Sequence, residues 1–273
     1  MSEFILRAEG VTKDYVAARG LLGQPTRLVR AVKGVSLAVA TGTTLALVGE
    51  SGSGKSTLGR CIAGLLRPTS GRIELAGHDV SQLAGGRLMA FRRQVQTIFQ
   101  DPYSSLNPRR RVGDAIMDGM VIHKLYSPDE RRDRMQALLA RVGLRPEHAQ
   151  RFPHQFSGGQ RQRIAIARAL ALEPRFIIAD EAVSALDVSV KAQVLDLLAD
   201  LQAEQGLTYL FISHDLGVVR HFADRVAIMA AGELVEEGEC DRIFEAPAQD
   251  YTRRLIAALP RPDPSRRRLR QAA

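Results

Sequence analysis

The 273-residue chain has no tryptophan, and aromatic residues make up only 5% of it. It therefore offers no obvious aromatic platform for stacking bases, although its formal charge is +8. Cysteine is almost as scarce: Cys61 and Cys240 are far apart and form no CxxC pair. That leaves neither a disulfide framework nor a metal knuckle and fits a reducing, cytosolic setting. No apolar run reaches the roughly 18 residues that a helix needs to span a bilayer. The opening MSEFILRAEG has an acid at Glu3 and no apolar stretch of the kind a secretory signal carries.

What the chain does have is ordinary globular composition, 45% hydrophobic and 25% charged. Its length accommodates one large α/β domain, or a core domain with a smaller one inserted. The positive charge is concentrated at one end. From Tyr251 onward there are seven arginines and one acid, Asp263, so the preceding 250 residues carry only about +2. A tail with Arg266, Arg267, Arg268 and Arg270 reads first as a solvated end; an anionic-lipid contact and a nucleic-acid arm are the alternatives.

Along the chain, FILRAEGV, VKGVSLAV and TTLALVG read as strands, with a loop expected from Arg19 to Arg30. A helix-like TLGRCIAGLL follows, stopped by Pro68 and the TSG at 69–71, and RIELAG resumes as a strand. Residues 110–172 are rich in Arg, Ala, Leu and Met at helical spacing, with breaks at Pro128, Gly143 and Pro146, and read as a helical insertion. FIIAD and TYLFIS are short apolar runs of the kind buried in parallel sheets. The helix VSVKAQVLDLLADLQAEQG between them makes a strand–helix–strand crossover, and AIMAAGELVEEG reads as a terminal strand pair.

Gly49-Glu50-Ser51-Gly52-Ser53-Gly54-Lys55-Ser56 fits G-x-x-x-x-G-K-[ST], directly after the strand LALV and directly before a helix that begins with Thr57. Glycines let the backbone wrap phosphate oxygens, and successive N–H groups make an anion nest at a helix N-terminus. Lys55 supplies charge to the β- and γ-phosphates, and the Ser56 hydroxyl is a Mg²⁺ ligand. The pattern specifies a nucleotide but not its use. The strand Phe176–Ala179 ends in Asp180 and Glu181. Ligands of open parallel sheets bind at the carboxyl ends of strands. Asp180 is thereby placed to hold Mg²⁺, and Glu181 to orient and deprotonate a water.

Ser157-Gly158-Gly159-Gln160 opens a second helix and continues as RQRIAIARALALEP. This segment resembles the ABC signature, as FSGGQ in place of the commoner LSGGQ. It is a second helix N-terminus suited to a phosphate. The resemblance to ABC ATPases covers residues 3 to about 260 and implies a head-to-tail dimer with two ATP molecules at the interface. It implies that Gln100 links the Mg²⁺ site to the helical insertion and that Ser184-Ala185-Leu186-Asp187 crosses the dimer interface. It also implies that His214 contacts the γ-phosphate and that Tyr15 stacks on adenine; for Tyr15 a place in the core is the alternative. The implied fold is α/β: a P-loop NTPase core with a mostly parallel sheet, an N-terminal antiparallel β subdomain and an inserted α-helical subdomain. On this reading residues 1–250 are the ATPase domain, with the helical part at about 101–172, and residues 251–273 are a C-terminal extension and basic tail.

Three segments look like the dipeptide and oligopeptide importer branch, which also includes glutathione and nickel transporters: Gln100–Pro108, Ser184–Val190 and Ala248–Pro260. Departures are Gln249-Asp250 where the branch usually has His-Pro, and Ala182 where many relatives have proline; the latter is expected to affect a turn and little chemistry. Some relatives carry four C-terminal cysteines for an iron–sulfur cluster; Cys240 alone rules that out. The implied partners are two membrane-spanning permease subunits, a second ATPase subunit, identical or distinct, and indirectly an extracytoplasmic solute-binding protein. The expected location is the cytoplasmic face of the cell membrane, with no nucleic acid. A soluble ABC ATPase of DNA or ribosomes, the rival, typically has two cassettes or a long coiled coil. The 101 residues between Lys55 and Ser157 lack sustained heptads. A small-molecule kinase gives no account of the SGGQ helix.

Overall fold

The computed structural model describes residues 3–19, 25–101 and 105–259. Two sheets share one core. An antiparallel sheet has the order β2-β1-β4-β5, from β1 (Phe4–Arg19), β2 (Pro25–Ala40), β4 (Ser70–Leu75) and β5 (His78–Asp79). The larger sheet has the order β10-β9-β3-β8-β7-β6. Its strands are β3 (Thr44–Val48), β6 (Val95–Ile98), β7 (Phe176–Asp180), β8 (Thr208–Ser213), β9 (Arg225–Ala230) and β10 (Glu233–Glu239). Neighbours from β6 to β9 run parallel, and only β10 is antiparallel to its neighbour.

Strands β3, β7 and β8 are buried at every position, which is why they read as unbroken apolar runs and not as alternation. Their side chains nevertheless divide by face. Leu45, Leu47, Ile178, Leu210 and Ile212 pack toward the antiparallel sheet and α1 (Lys55–Ile62). Ala46, Val48, Ile177, Tyr209 and Phe211 pack toward the helices of the other face. Those helices include α3 (Val112–Ile122), α4 (Pro128–Arg141), α5 (Gly158–Leu170), α6 (Val188–Gln205) and α7 (Leu216–Phe222). Helix α2 (Gly85–Gln94) leads into β6, and α8 (Cys240–Glu245) and α9 (Asp250–Ala257) follow β10.

Side-chain caps start helices α4, α5 and α7. At α4 the Ser127 hydroxyl accepts from Glu130 N, and Ser127 N donates to the Glu130 carboxylate at 2.7 Å, with Pro128 at the first helical position. Such a reciprocal box satisfies two amides that the helix itself cannot. The glutamine Gln160 plays the same part for Ser157 at α5. No helix among the described residues is long and apolar enough to cross a membrane.

Two expectations change. The first hairpin is longer than its hydrophobic pattern: residues 25–30, expected in a loop, pair with β1 through contacts such as Val29 with Tyr15 and Arg30 with Asp14. Helix α2 and the short β5 were not expected; α2 has charge on most faces and buries only Phe91, so it carries little periodic signal. The proposed tail arginines, together with Pro102, Tyr103 and Ser104 of the importer-like segment, lie outside the described residues.

The core on the helical face is testable at Phe211, which is fully buried with its ring 5.1 Å from Phe222 in a T-shaped contact. Replacing it with alanine leaves a cavity that the sheet cannot close. Phe211→Ala is expected to cost about 3–5 kcal/mol, read as a lower denaturant midpoint with unchanged slope.

Candidate nucleotide site

Because β8 lies between β3 and β7, their carboxyl ends present three loops side by side. The first is the Gly49–Ser56 loop. It is wedged so tightly that side chains are excluded: a Cβ on Gly49 would sit 2.1 Å from the Met229 carbonyl oxygen, and one on Gly54 would sit 2.2 Å from that of Ala31. Gly54 also has φ of 101°, a conformation that glycine alone adopts cheaply. Gly232 N donates to the Ser53 carbonyl at 3.0 Å, tying the loop to the β9–β10 turn. Glu50, Ser51 and Gly52 form the exposed tip, and Thr57 is half-buried on α1.

Lys55 is buried, and its ammonium bends back onto the loop that carries it. It donates to the carbonyls of Gly49 at 2.8 Å and Glu50 at 2.7 Å and to the Ser53 hydroxyl at 3.3 Å. Burial holds its pKa below the usual lysine value, against the pull of the Glu181, Asp180 and Glu50 carboxylates. The cation thus sits in the bowl where phosphate oxygens would, ready to exchange carbonyl partners for anionic ones.

The second loop follows β7. Ser56 Oγ donates to Asp180 Oδ1 at 2.8 Å. Burial raises the Asp180 carboxyl above its ordinary pKa, outweighing the Ser56 hydrogen bond and the Arg60 charge. Glu181 has φ of 51°, a left-handed geometry that costs a non-glycine residue of order 1 kcal/mol. Three bonds hold it: Glu181 N to the Ile212 carbonyl at 2.9 Å, and Ser184 N and Oγ to the Glu181 carbonyl at 3.1 and 2.9 Å. Ala182, in the position noted for proline, is buried behind this turn. The third loop follows β8 and brings His214 Nδ1 to 3.4 Å from Glu181 Oε2.

A hydroxyl and a carboxylate that meet through oxygen atoms suit a hard divalent cation such as Mg²⁺, which takes one or two protein oxygens and keeps its other places for water and phosphate. No cluster of three or more His, Cys, Asp or Glu side chains able to hold a metal occurs among the described residues, and a Mg²⁺ held in this way needs none.

The remaining expected residues group elsewhere. Gln100 follows β6 and shares a cavity of about 180 Å³ with Asp101, Gly158, Arg161, Ala182 and Leu186, among others. Ser157 and Gln160 are engaged in their own capping box. Gly159 packs against α6 so closely that a Cβ would meet Val190 Cγ1 at 2.3 Å. Asp187 stands at the N-cap of α6 without a side-chain cap bond, next to Val188, which is 85% exposed. Tyr15 is not in the core: it is 38% exposed, with Lys13 Nζ 5.5 Å from its ring centre. Exposed Val29, paired with Tyr15 across the two strands, lies on the same face and extends its apolar surface, which the unexpectedly long hairpin creates.

The raised Asp180 carboxyl carries a stability consequence. The folded chain holds this proton more tightly than the unfolded chain. Stability is therefore full below the unfolded value, about 4, and falls as pH rises through the folded value. Asp180→Asn, which can still accept from Ser56, is expected to raise the melting temperature of the nucleotide-free protein at pH 7. The gain should shrink toward zero as the pH is lowered to about 4, as followed by thermal unfolding across that range.

Known proteins resemble the chain over most of its length. The family model described as "ABC transporter" matches residues 32–184, and that of the "Oligopeptide/dipeptide transporter, C-terminal region" matches residues 235–273. The chain is 53% identical to the glutathione import ATP-binding protein GsiA of Salmonella paratyphi A over 98% of its own length and 43% of that protein's. For the Escherichia coli K12 protein of the same name the figures are 52%, 97% and 43%. The chain therefore spans less than half the length of these curated relatives. Among solved structures, the dimeric ATP-binding cassette MJ0796, in a post-hydrolysis state with ADP and Pi, superposes with a TM-score of 0.76 and 32% identity, covering 86% of this chain and 98% of that one. The cbiO1 subunit from Clostridium perfringens, part of the cbiONQ transporter complex, gives 0.75 and 29%, covering 90% and 92%. The two-sheet fold is that of this group, and the chain belongs to the ABC transporter family.

Proposed function

We propose that this chain binds and hydrolyses ATP as the motor of an importer for di- or oligopeptides or a related small solute such as glutathione. The observation that carries the reading is the convergence of Lys55, Ser56, Asp180, Glu181 and His214 on one edge of the parallel sheet. Phosphoryl transfer to water needs positioned charge and a positioned nucleophile, and these five residues supply both. The loop amides of residues 49–56 and Lys55 receive the β- and γ-phosphates, and Tyr15 receives adenine. Ser56 and Asp180, with Gln100 arriving from the β6 loop, are the Mg²⁺ ligands; that ion, when bound, screens the charge on the phosphates. Glu181 accepts the proton of the attacking water, and His214 donates to the transferring phosphoryl group.

Ser157, Gly158, Gly159 and Gln160 serve the nucleotide of a second cassette, identical or distinct, whose own signature completes this one. That arrangement accords with the exposed Asp187–Val188 corner. The helices between residues 101 and 172 transmit closure to two membrane-spanning permease subunits. Residues 251–273 are an extension outside the ATPase domain of residues 1–250. The chain works at the cytoplasmic face of the membrane, fed indirectly by a solute-binding protein, and engages no nucleic acid.

Glu181→Gln tests the assignment of the base. The amide keeps the size of the side chain but cannot take the proton. ATP binding is expected to be retained while turnover falls by a factor of about 100 or more, checked by nucleotide titration and phosphate release on the same preparation. Near wild-type turnover would move the base elsewhere.

A further inference from the structure

His214 has a weak hold of its own. Its side chain is 53% exposed and its ion-pair contact, with Glu181, is at 3.4 Å. The place from which its ring reaches Glu181 is therefore set by the peptide that carries it. That peptide is clamped from both sides: Asp215 N donates to Ser213 Oγ at 3.0 Å, and the Asp215 carboxylate is divided between two tasks. One oxygen, Oδ1, accepts from Gly217 N at 3.1 Å and Val218 N at 3.4 Å, capping α7. The other, Oδ2, accepts from Lys191 Nζ at 2.8 Å. Burial pushes the Asp215 carboxyl up, but the Lys191 bond and charge and the two amides outweigh it, so the group stays ionised well below neutrality.

Lys191 comes from α6, one turn past Asp187, whose carbonyl accepts from Lys191 N at 2.8 Å. Its side chain is only 18% exposed, so the ion pair is shielded in a way that surface pairs are not. The preceding residue, Val190, is the one pressed against Gly159 of the signature helix. A single turn of α6 thus touches the segment assigned to another cassette's nucleotide on one side and the histidine loop of this cassette's nucleotide on the other.

We infer that Lys191 is a positioning residue for His214, fixing the histidine loop through the Asp215 carboxylate and tying its placement to the turn that follows Asp187. The inference rests on the proposed role of His214 in ATP hydrolysis. Lys191 touches neither nucleotide nor water itself. Its loss leaves the phosphate loop, Asp180 and Tyr15 as they are, so nucleotide affinity is retained while the γ-phosphate partner is set loose. A misplacement of this kind costs up to about a hundredfold in rate; because the α7 cap persists without Lys191, about tenfold is expected.

Lys191→Met keeps the length of the stem and removes the charge, and Lys191→Arg keeps both charge and donor. Turnover, the KM for ATP, melting temperature and the His214 Cε1–H resonance, assigned with His214→Gln, would be measured on the intact protein. Expected for Lys191→Met is a fall in kcat of about tenfold at unchanged KM, with a shifted or broadened His214 resonance and a recovery of both in Lys191→Arg. An unmoved His214 resonance, an unchanged kcat, or a fall in kcat that only follows loss of folded protein would overturn the inference. His214→Gln alone separates this from the reading beneath it: full turnover in that variant removes His214 from the chemistry, whereas loss there with none in Lys191→Met defeats the positioning role only.

Discussion

The hydrogen bond from Ser56 to Asp180 joins the first turn of α1 to the end of β7, and the arrangement of the site turns on it. The two residues are 124 positions apart; Ser56 follows β3 and Asp180 ends β7, strands that are not neighbours, since β8 lies between them. Only a parallel sheet with buried strands brings both chain reversals to the same edge at the same height. The paired register sets that height: Val48 stands opposite Ser213, and Asp180 opposite Ile212. The loop after β8 must then emerge between them, which is where His214 sits. One strand order thus supplies the phosphate loop, the acidic pair and the histidine together.

Holding this constellation has a cost that the rest of the cassette offsets. A buried lysine with a shifted pKa, a buried aspartate shifted the other way and a glutamate in left-handed geometry are each unfavourable. Perturbations of this kind cluster where chemistry is done. The site satisfies itself internally, with Lys55 bonded to its own loop and Ser56 to Asp180. On the proposed function, the same groups are the ones that would make charge-assisted contacts to a triphosphate and its cation. The apolar layers on both faces of the large sheet, anchored by residues such as Phe176, Tyr209 and Phe211, hold the frame of that edge in place.

Much of this was legible in the sequence because the motifs are local. The Gly49–Ser56 loop, the Asp180-Glu181 pair and the Ser157–Gln160 cap each involve residues within a few positions of one another, and strand or helix context fixes their reading. The buried strands were legible from their unbroken apolar runs. The length of the β1–β2 hairpin was not, because Tyr15, Val16, Leu28 and Val29 are exposed and the sequence there carries Lys13, Arg27 and Arg30 among its apolar residues. Only the pairing of Asp14 with Arg30 and Tyr15 with Val29 shows that the strands continue. That extension also takes Tyr15 out of the core, which was the alternative to stacking on adenine. The Lys191–Asp215 pair could not be read at all: its partners come from different elements, and a lysine on a helix ordinarily points to water. Asp215 did carry a signal, an acid just ahead of a helix start.

The most direct test of the central claim is calorimetric titration of ATP with Mg²⁺ and with EDTA, on the wild-type protein and on Asp180→Asn. If Ser56 and Asp180 are the cation's protein ligands, Mg²⁺ tightens ATP binding to the wild type. The variant loses that gain but binds metal-free ATP as the wild type does. A Mg²⁺ effect that survives undiminished in Asp180→Asn would contradict the account and detach the acidic strand end from the nucleotide.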